Sequence, residues 1–298
     1  MFPALTTPFN PDLSIDHGRL FDHCRWLADY GVRGLVPLLA VTGEGTSLTP
    51  GEKRQVIETC MRAAGKRIPV IPAILAPITG EAVALAKHAR AVGCRGLTVV
   101  APYLPDVGAD DWRETREHVS SVISATDLPC MLNNGSSLHG ADFRPEQIAE
   151  LAAAHPNLEA VKESSIDVRR ISAIRALLGS RLQVLVGMDD VLVEGIGAGA
   201  SGWVASLMNA LPAESMHLYR SASSGLTNKA AELNDWLLPL LRMDSAPKFV
   251  QLAKLMQEKI GRGSARVRPP RLPLEGDELR RALETVERVL SERPRLGP

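Results

Sequence analysis

Three stretches of the chain repeat one arrangement of apolar and small residues: Tyr30-Gly-Val-Arg-Gly-Leu-Val-Pro-Leu38, Val92-Gly-Cys-Arg-Gly-Leu-Thr-Val-Val100 and Ala198-Gly-Ala-Ser-Gly-Trp-Val-Ala-Ser206. In each, a glycine suited to the position just past a helix is followed three residues later by a second glycine and a short apolar run. Each stretch therefore marks a helix handing over to a buried strand. The leading glycines, Gly31, Gly93 and Gly199, are 62 and 106 residues apart, close to two and three units of roughly 30–35 residues, the size of a strand-and-helix repeat.

Extending that period predicts eight strands, near 3–7, 34–39, 70–74, 96–100, 129–132, 158–162, 183–187 and 202–206. Helices are expected near 16–29, 50–63, 79–92, 110–125, 145–154, 168–178, 190–197 and 212–223; the second opens on Thr49-Pro50, a cap followed by a first-turn proline. Short apolar strands alternating with helices demand a parallel sheet covered by helices. Eight such units fit an α/β fold of the (β/α)8 TIM-barrel type better than an open doubly wound sheet, whose first turn would carry a G-x-G-x-x-G run that is missing here. Residues 226–298 read as a C-terminal helical appendage, with helices over 228–241, 245–260 and 278–292 and a Pro-rich connector between the last two. The expected division is a barrel over 1–225 carrying the active site and a helical region over 226–298.

Composition narrows the function. Of 298 residues, 45% are hydrophobic and 23% charged, the balance of an ordinary globular chain, and 34 Lys and Arg offset 34 Asp and Glu. Without a bulk positive field, and with aromatics at 4%, nucleic acid is a poor expectation as a partner. Cys24, Cys60, Cys94 and Cys130 stand far apart with no C-x-x-C pair, which argues for packed thiols rather than a metal centre. No apolar run reaches the ~18 residues of a membrane span, so a cytoplasmic location without a membrane partner is expected.

In a barrel of this kind chemistry sits at the carboxyl ends of the strands. The strand over 158–162 ends in Lys162, and a lysine on a buried strand is expensive because desolvation disfavours its ammonium form. Such a shift makes the amine nucleophilic toward a carbonyl at neutral pH. A snorkelling side chain, or one paired with a carboxylate such as Glu163, is the alternative.

Further segments carry a resemblance. Pro3-Ala-Leu-Thr-Thr-Pro-Phe9, Thr42-Gly-Glu44 with Ser47-Leu-Thr49 and Glu52-Lys-Arg54, Val161-Lys-Glu-Ser164, Gly187-Met-Asp-Asp190, Gly199-Ala-Ser-Gly202, Asn209-Ala-Leu-Pro212 and Val267-Arg-Pro-Pro270 follow one another. In order and spacing the chain resembles the dihydrodipicolinate synthase/N-acetylneuraminate lyase family of Schiff-base aldolases. The resemblance implies a homodimer or homotetramer that uses no cofactor and no metal and acts on pyruvate or another 2-oxo acid, through an imine on Lys162. It implies that Thr42 and Gly43 bind the substrate carboxylate, through the Thr42 hydroxyl and both amides, and that Gly187 and Val204 line the substrate site.

The departures are informative too. Where the family has two adjacent hydroxyl residues, this chain has Val41 before Thr42; where it has Tyr-Asn, this chain has Asn133 before Asn134; and its paired aromatics become Tyr103 and Leu104. The family synthases' arginine aligns with Leu138. Three parts of dihydrodipicolinate synthesis are therefore absent, and a different second substrate or reaction, by aldol cleavage, condensation or dehydration, is expected. Asn133 and Tyr103 join Lys162 as candidate catalytic residues, Asn133 by orienting a water or substrate hydroxyl, and His139 is the nearest titratable side chain downstream. Imine-dependent deamination of a cyclic imino acid, or 2-oxo acid binding without turnover, remains open as an alternative. Asp189 and Asp190 read as caps of the following helix rather than as a metal pair, and the glycines from Gly195 to Gly202 as a helix-to-strand turn rather than a phosphate cradle.

Overall fold

The computed structural model describes residues 1–102, 112–135 and 142–294. Its strands are β1 (Phe2–Pro3), β2 (Ala73–Ile74), β3 (Leu97–Val100), β4 (Cys130–Asn134), β5 (Leu158–Glu163), β6 (Gln183–Val186) and β7 (Gly202–Ala205). All pair in parallel, in the order β1-β7-β6-β5-β4-β3-β2. Among the described residues seven strands stand where eight were expected, because the stretch at 34–39 pairs only through isolated bridges, Ala4 to Val36 and Leu35 to Val70.

Proline accounts for the difference. Pro37 and Pro72 have no N–H to give to a ladder, so neither stretch around them sustains regular pairing. Their neighbours still bond on both sides: Leu5 N–H donates to Val36 O, Val36 N–H to Pro3 O, Leu35 N–H to Pro69 O, and Ala73 N–H to Pro37 O, at 2.8–3.1 Å. Segment 35–37 thus joins β1 to the chain around β2, and the sheet curls until its two edges meet there.

The helices are α1 (His17–Asp29), α2 (Pro50–Ala64), α3 (Thr79–Ala91), α4 (Arg113–Ile123), α5 (Pro145–Ala154), α6 (Arg169–Leu178), α7 (Leu192–Gly197), α8 (Pro212–Ser223), α9 (Thr227–Leu241), α10 (Phe249–Lys259) and α11 (Gly276–Ser291). The expected cap of α2 is present: Thr49 Oγ1 accepts from Glu52 N–H while the Glu52 carboxylate accepts from Thr49 N–H. Gly31, Gly93 and Gly199 all have positive φ, as the repeat predicts for residues just past α1, α3 and α7.

Leu97, Val99, Leu132, Val161, Val186 and Trp203 are buried along the strands, as a sheet covered on both faces requires. All four cysteines are free and buried, and burial pushes the Cys94 and Cys130 thiols up to about 12. Among the described residues no helix is long and apolar enough to cross a membrane.

Candidate active site

A cavity of about 60 Å³, room for a few water-sized groups, opens at the carboxyl ends of the strands. Of the residues singled out from sequence, Thr42, Asn133, Lys162, Gly187 and Val204 line it. Gly43 does not line it among the described residues; its N–H donates to Leu39 O at 3.1 Å and its carbonyl accepts from Thr7 Oγ1 at 2.7 Å. The amide expected to hold a carboxylate is therefore spent on closing the loop. Tyr103, Leu104, Leu138 and His139 lie outside the described residues.

Lys162 is the centre of the cavity. Its strand position faces Asn133 on β4 and Leu185 on β6, and only 8% of it is exposed. The amine donates to Ser164 Oγ at 2.5 Å and to Gly187 O at 3.1 Å. Among the described residues no carboxylate lies within ion-pair distance of it. The neighbouring Glu163 points away, as strand alternation requires: it accepts from Asn134 Nδ2 and from Ser165 N–H, each at 2.8 Å, and Arg170 lies 3.7 Å from it. Burial pushes the Lys162 ammonium below its ordinary value, against the pull of the Asp244, Asp189 and Glu163 carboxylates.

Gly187 makes this geometry possible. A Cβ there would sit 2.8 Å from the lysine nitrogen and 2.2 Å from Ser164 Oγ, so any larger residue would drive the amine from its place. Asn133 contributes a different feature. Its Oδ1 is buried and without a hydrogen-bond partner, an acceptor beside the lysine waiting for a donor.

Further lining residues were not among the candidates read from sequence, Ser164, Ser206, Asp244 and Phe249 among them. Asp244 belongs to the connection between α9 and α10 and Phe249 opens α10, both in the region expected to lie apart from the site. Asp189 also differs from expectation. Rather than capping a helix, its buried carboxylate accepts from Trp203 Nε1 (2.9 Å), Ser206 N–H (3.2 Å), Ser206 Oγ (2.6 Å) and Leu207 N–H (2.8 Å). It ties the turn after β6 to the end of β7. Nothing in the local sequence distinguishes this use from a cap, because both place an aspartate just after a strand.

The chain is similar to known proteins over most of its length. The chain is 32% identical over 268 residues to 4-hydroxy-tetrahydrodipicolinate synthase of Agrobacterium fabrum, across 90% of each chain. It is 31% identical over 270 residues to the enzyme of the same name from Rhizobium meliloti, across 91% of this chain and 90% of that one. Dihydrodipicolinate synthase from Aquifex aeolicus superposes with a TM-score of 0.90 at 28% identity, covering 96% of both chains. The chloride-inhibited synthase of Acinetobacter baumannii, solved with pyruvate, gives a TM-score of 0.87 at 27% identity over 96% of this chain and 98% of that one. A sequence model of one family spans residues 1–289, from β1 through the lysine-bearing strand to α11, and by that match the chain belongs to the dihydrodipicolinate synthetase family.

Proposed function

We propose that this class I aldolase-type lyase forms its imine on Lys162, from pyruvate or another small 2-oxo acid. The observation that carries the reading is a buried lysine with no carboxylate in ion-pair contact among the described residues, facing a cavity of about 60 Å³. An amine kept below its ordinary pKa has a neutral fraction able to attack the C2 carbonyl. Loss of water then leaves a protonated imine that draws electrons from the adjacent carbon.

The carboxylate of the 2-oxo acid belongs with the loop that carries Thr42, through that residue's hydroxyl and main chain. Val204 and Ala4 close the apolar side against the methyl group. Asn133 Oδ1, which lacks a donor, takes one from a substrate hydroxyl or a water.

We also propose that the second substrate or the reaction differs from that of the relatives named as synthases. Val41 has no hydroxyl and Asn133 no titratable proton, and both line the cavity. The neutral net charge and exposed Ile78, Ile166 and Leu272 favour a homodimer or homotetramer, to be checked by light scattering. The TIM-barrel description, with 226–298 as its helical region, and a cytoplasmic location complete the proposal.

The deciding experiment is borohydride reduction with pyruvate, followed by intact-mass measurement and peptide mapping. A reduced pyruvate adduct on Lys162 is expected. It should vanish in Lys162→Arg, because a guanidinium stays protonated and does not attack a carbonyl. Label on another lysine, or no label with any 2-oxo acid tried, overturns the reading.

A further inference from the structure

Among the described residues Asn133 leaves the pocket short of a proton donor beside the imine, and the connection between α9 and α10 supplies one. Asp244 lines the same cavity as Lys162. Its Oδ2 accepts from Asp189 N–H at 3.0 Å, and its Oδ1 lies 3.2 Å from Ser206 Oγ. Ser206 has one hydroxyl hydrogen, and the 2.6 Å contact to Asp189 Oδ2 takes it. Asp189 already receives three other donors, so it is the ionised member. The contact between Asp244 Oδ1 and Ser206 Oγ then needs a hydrogen from Asp244 itself.

Resting on the assignment of the imine to Lys162, we infer that Asp244 is the acid–base residue of this pocket, held in its protonated form by Ser206 and Asp189. The balance of the steps is simple. Addition of the neutral amine to the ketone gives a neutral carbinolamine. Asp244 gives its proton to the carbinolamine hydroxyl, the C–O bond breaks with its electron pair to release water, and the nitrogen lone pair forms C=N. A neutral acid and a neutral carbinolamine become a carboxylate and an iminium. That carboxylate next takes a proton from the carbon beside the imine, the C–H pair moves to form the enamine, and Asp244 is an acid again.

The groups facing Asp244 fit this cycle. Lys162 comes from β5, Asp189 from the turn after β6, Ser206 from the end of β7, and Phe249 from α10 adds an apolar wall. Burial, then the Asp189 carboxylate, push the Asp244 carboxyl up to about 8, against the pull of Lys162. Burial raises Asp189 as well, and its four donors offset only part of that rise.

The test needs no knowledge of the second substrate. Enamine formation exchanges the methyl protons of pyruvate for deuterium in heavy water, read by proton NMR, while borohydride trapping reads the imine separately. In Asp244→Asn, which preserves shape and the acceptor for Asp189 N–H, exchange should fall ~10²-fold or more while the Lys162 adduct still accumulates on long incubation. Asp244→Glu, which keeps an acid, should recover part of the rate. Thermal transitions confirm that each variant folds. Independently of any variant, wild-type exchange should decline as pH rises from 7 to 9, through the titration of Asp244. Exchange in Asp244→Asn within threefold of wild type, or a wild-type profile flat over that interval, overturns the inference. Absence of any adduct in the wild type instead removes the Lys162 assignment on which it rests.

Discussion

Lys162 and Lys254 are both buried lysines, exposed to 8% and 1%, yet they stand in opposite situations. Lys254, on α10, is ion-paired with Glu44, donates to Arg266 O at 2.7 Å and sits 4.2 Å from the centre of the Phe9 ring. Burial lowers it to about 8 even so, with Glu44 pulling it up and Arg271 and Arg268 pressing it down. Every direction around its nitrogen is taken. Among the described residues Lys162 has only a serine oxygen and a main-chain carbonyl as partners, and its remaining side faces a cavity. Burial depresses the pKa of a lysine wherever it occurs; what makes an amine chemically available is burial without a partner, next to open space.

Replacing each lysine by methionine separates the two situations most sharply. Lys254→Met leaves Glu44 charged and buried without its partner and should cost about 3–5 kcal/mol in urea unfolding. Lys162→Met should abolish the pyruvate adduct and yet leave stability within about 1 kcal/mol of wild type, or raise it, because a poorly partnered charge is removed. Equal destabilisation by both would erase the distinction.

A smaller effect is expected from crowding the free side of Lys162. Gly187→Ala brings a methyl group to 2.8 Å from the nitrogen. Displacing the amine by about 1 Å should slow adduct formation by roughly 10²-fold, with an overpacking cost of about 1–3 kcal/mol. An unchanged trapping rate would mean that the position of the nitrogen is not controlled by Gly187.

The smallest effects are in pH dependence, and their signs differ. Asp244 titrates near 3.8 when unfolded and about 8 when folded. Between those values the folded chain holds the extra proton, so its contribution to stability declines as pH rises. Lys254 titrates near 10.5 when unfolded and about 8 when folded. There the unfolded chain holds the extra proton, and stability rises with pH from about 8 to 10.5. Urea unfolding across pH 4–10.5 should show the first slope flattened in Asp244→Asn and the second in Lys254→Met.

Local features of the chain were legible in advance. Helices α5 and α8 begin and end at the expected residues, each opening on a proline at its first turn. Lys162 announced itself because a lysine among apolar strand residues is anomalous within a window of five. The stretch at 34–39 forms isolated bridges instead of the expected strand and that at 70–74 only a two-residue one, since their apolar character outweighed Pro37 and Pro72 in the reading but not in the ladder. Asp244, Ser206 and the Glu44–Lys254 pair were out of reach for another reason. Each meets its partner only because the curled sheet and the α9–α10 connection bring distant segments together, and no local pattern encodes that meeting. For Gly43 the resemblance implied a carboxylate-binding amide, and here that amide donates to Leu39 O, a pairing set by how the loop folds back on itself.

Glu44 bears on how this molecule can be recombined with others. Besides Lys254, its carboxylate accepts from Arg268 N–H at 3.1 Å, and the Arg268 guanidinium reaches Ser47 O, Glu52 and Leu13 O. The turn that follows Thr42 is thereby latched to chain more than two hundred residues downstream. Chimeras that exchange the substrate loop or the last seventy residues separately would mate one half of the latch with a foreign partner. For this chain the unit of exchange is the two pieces together.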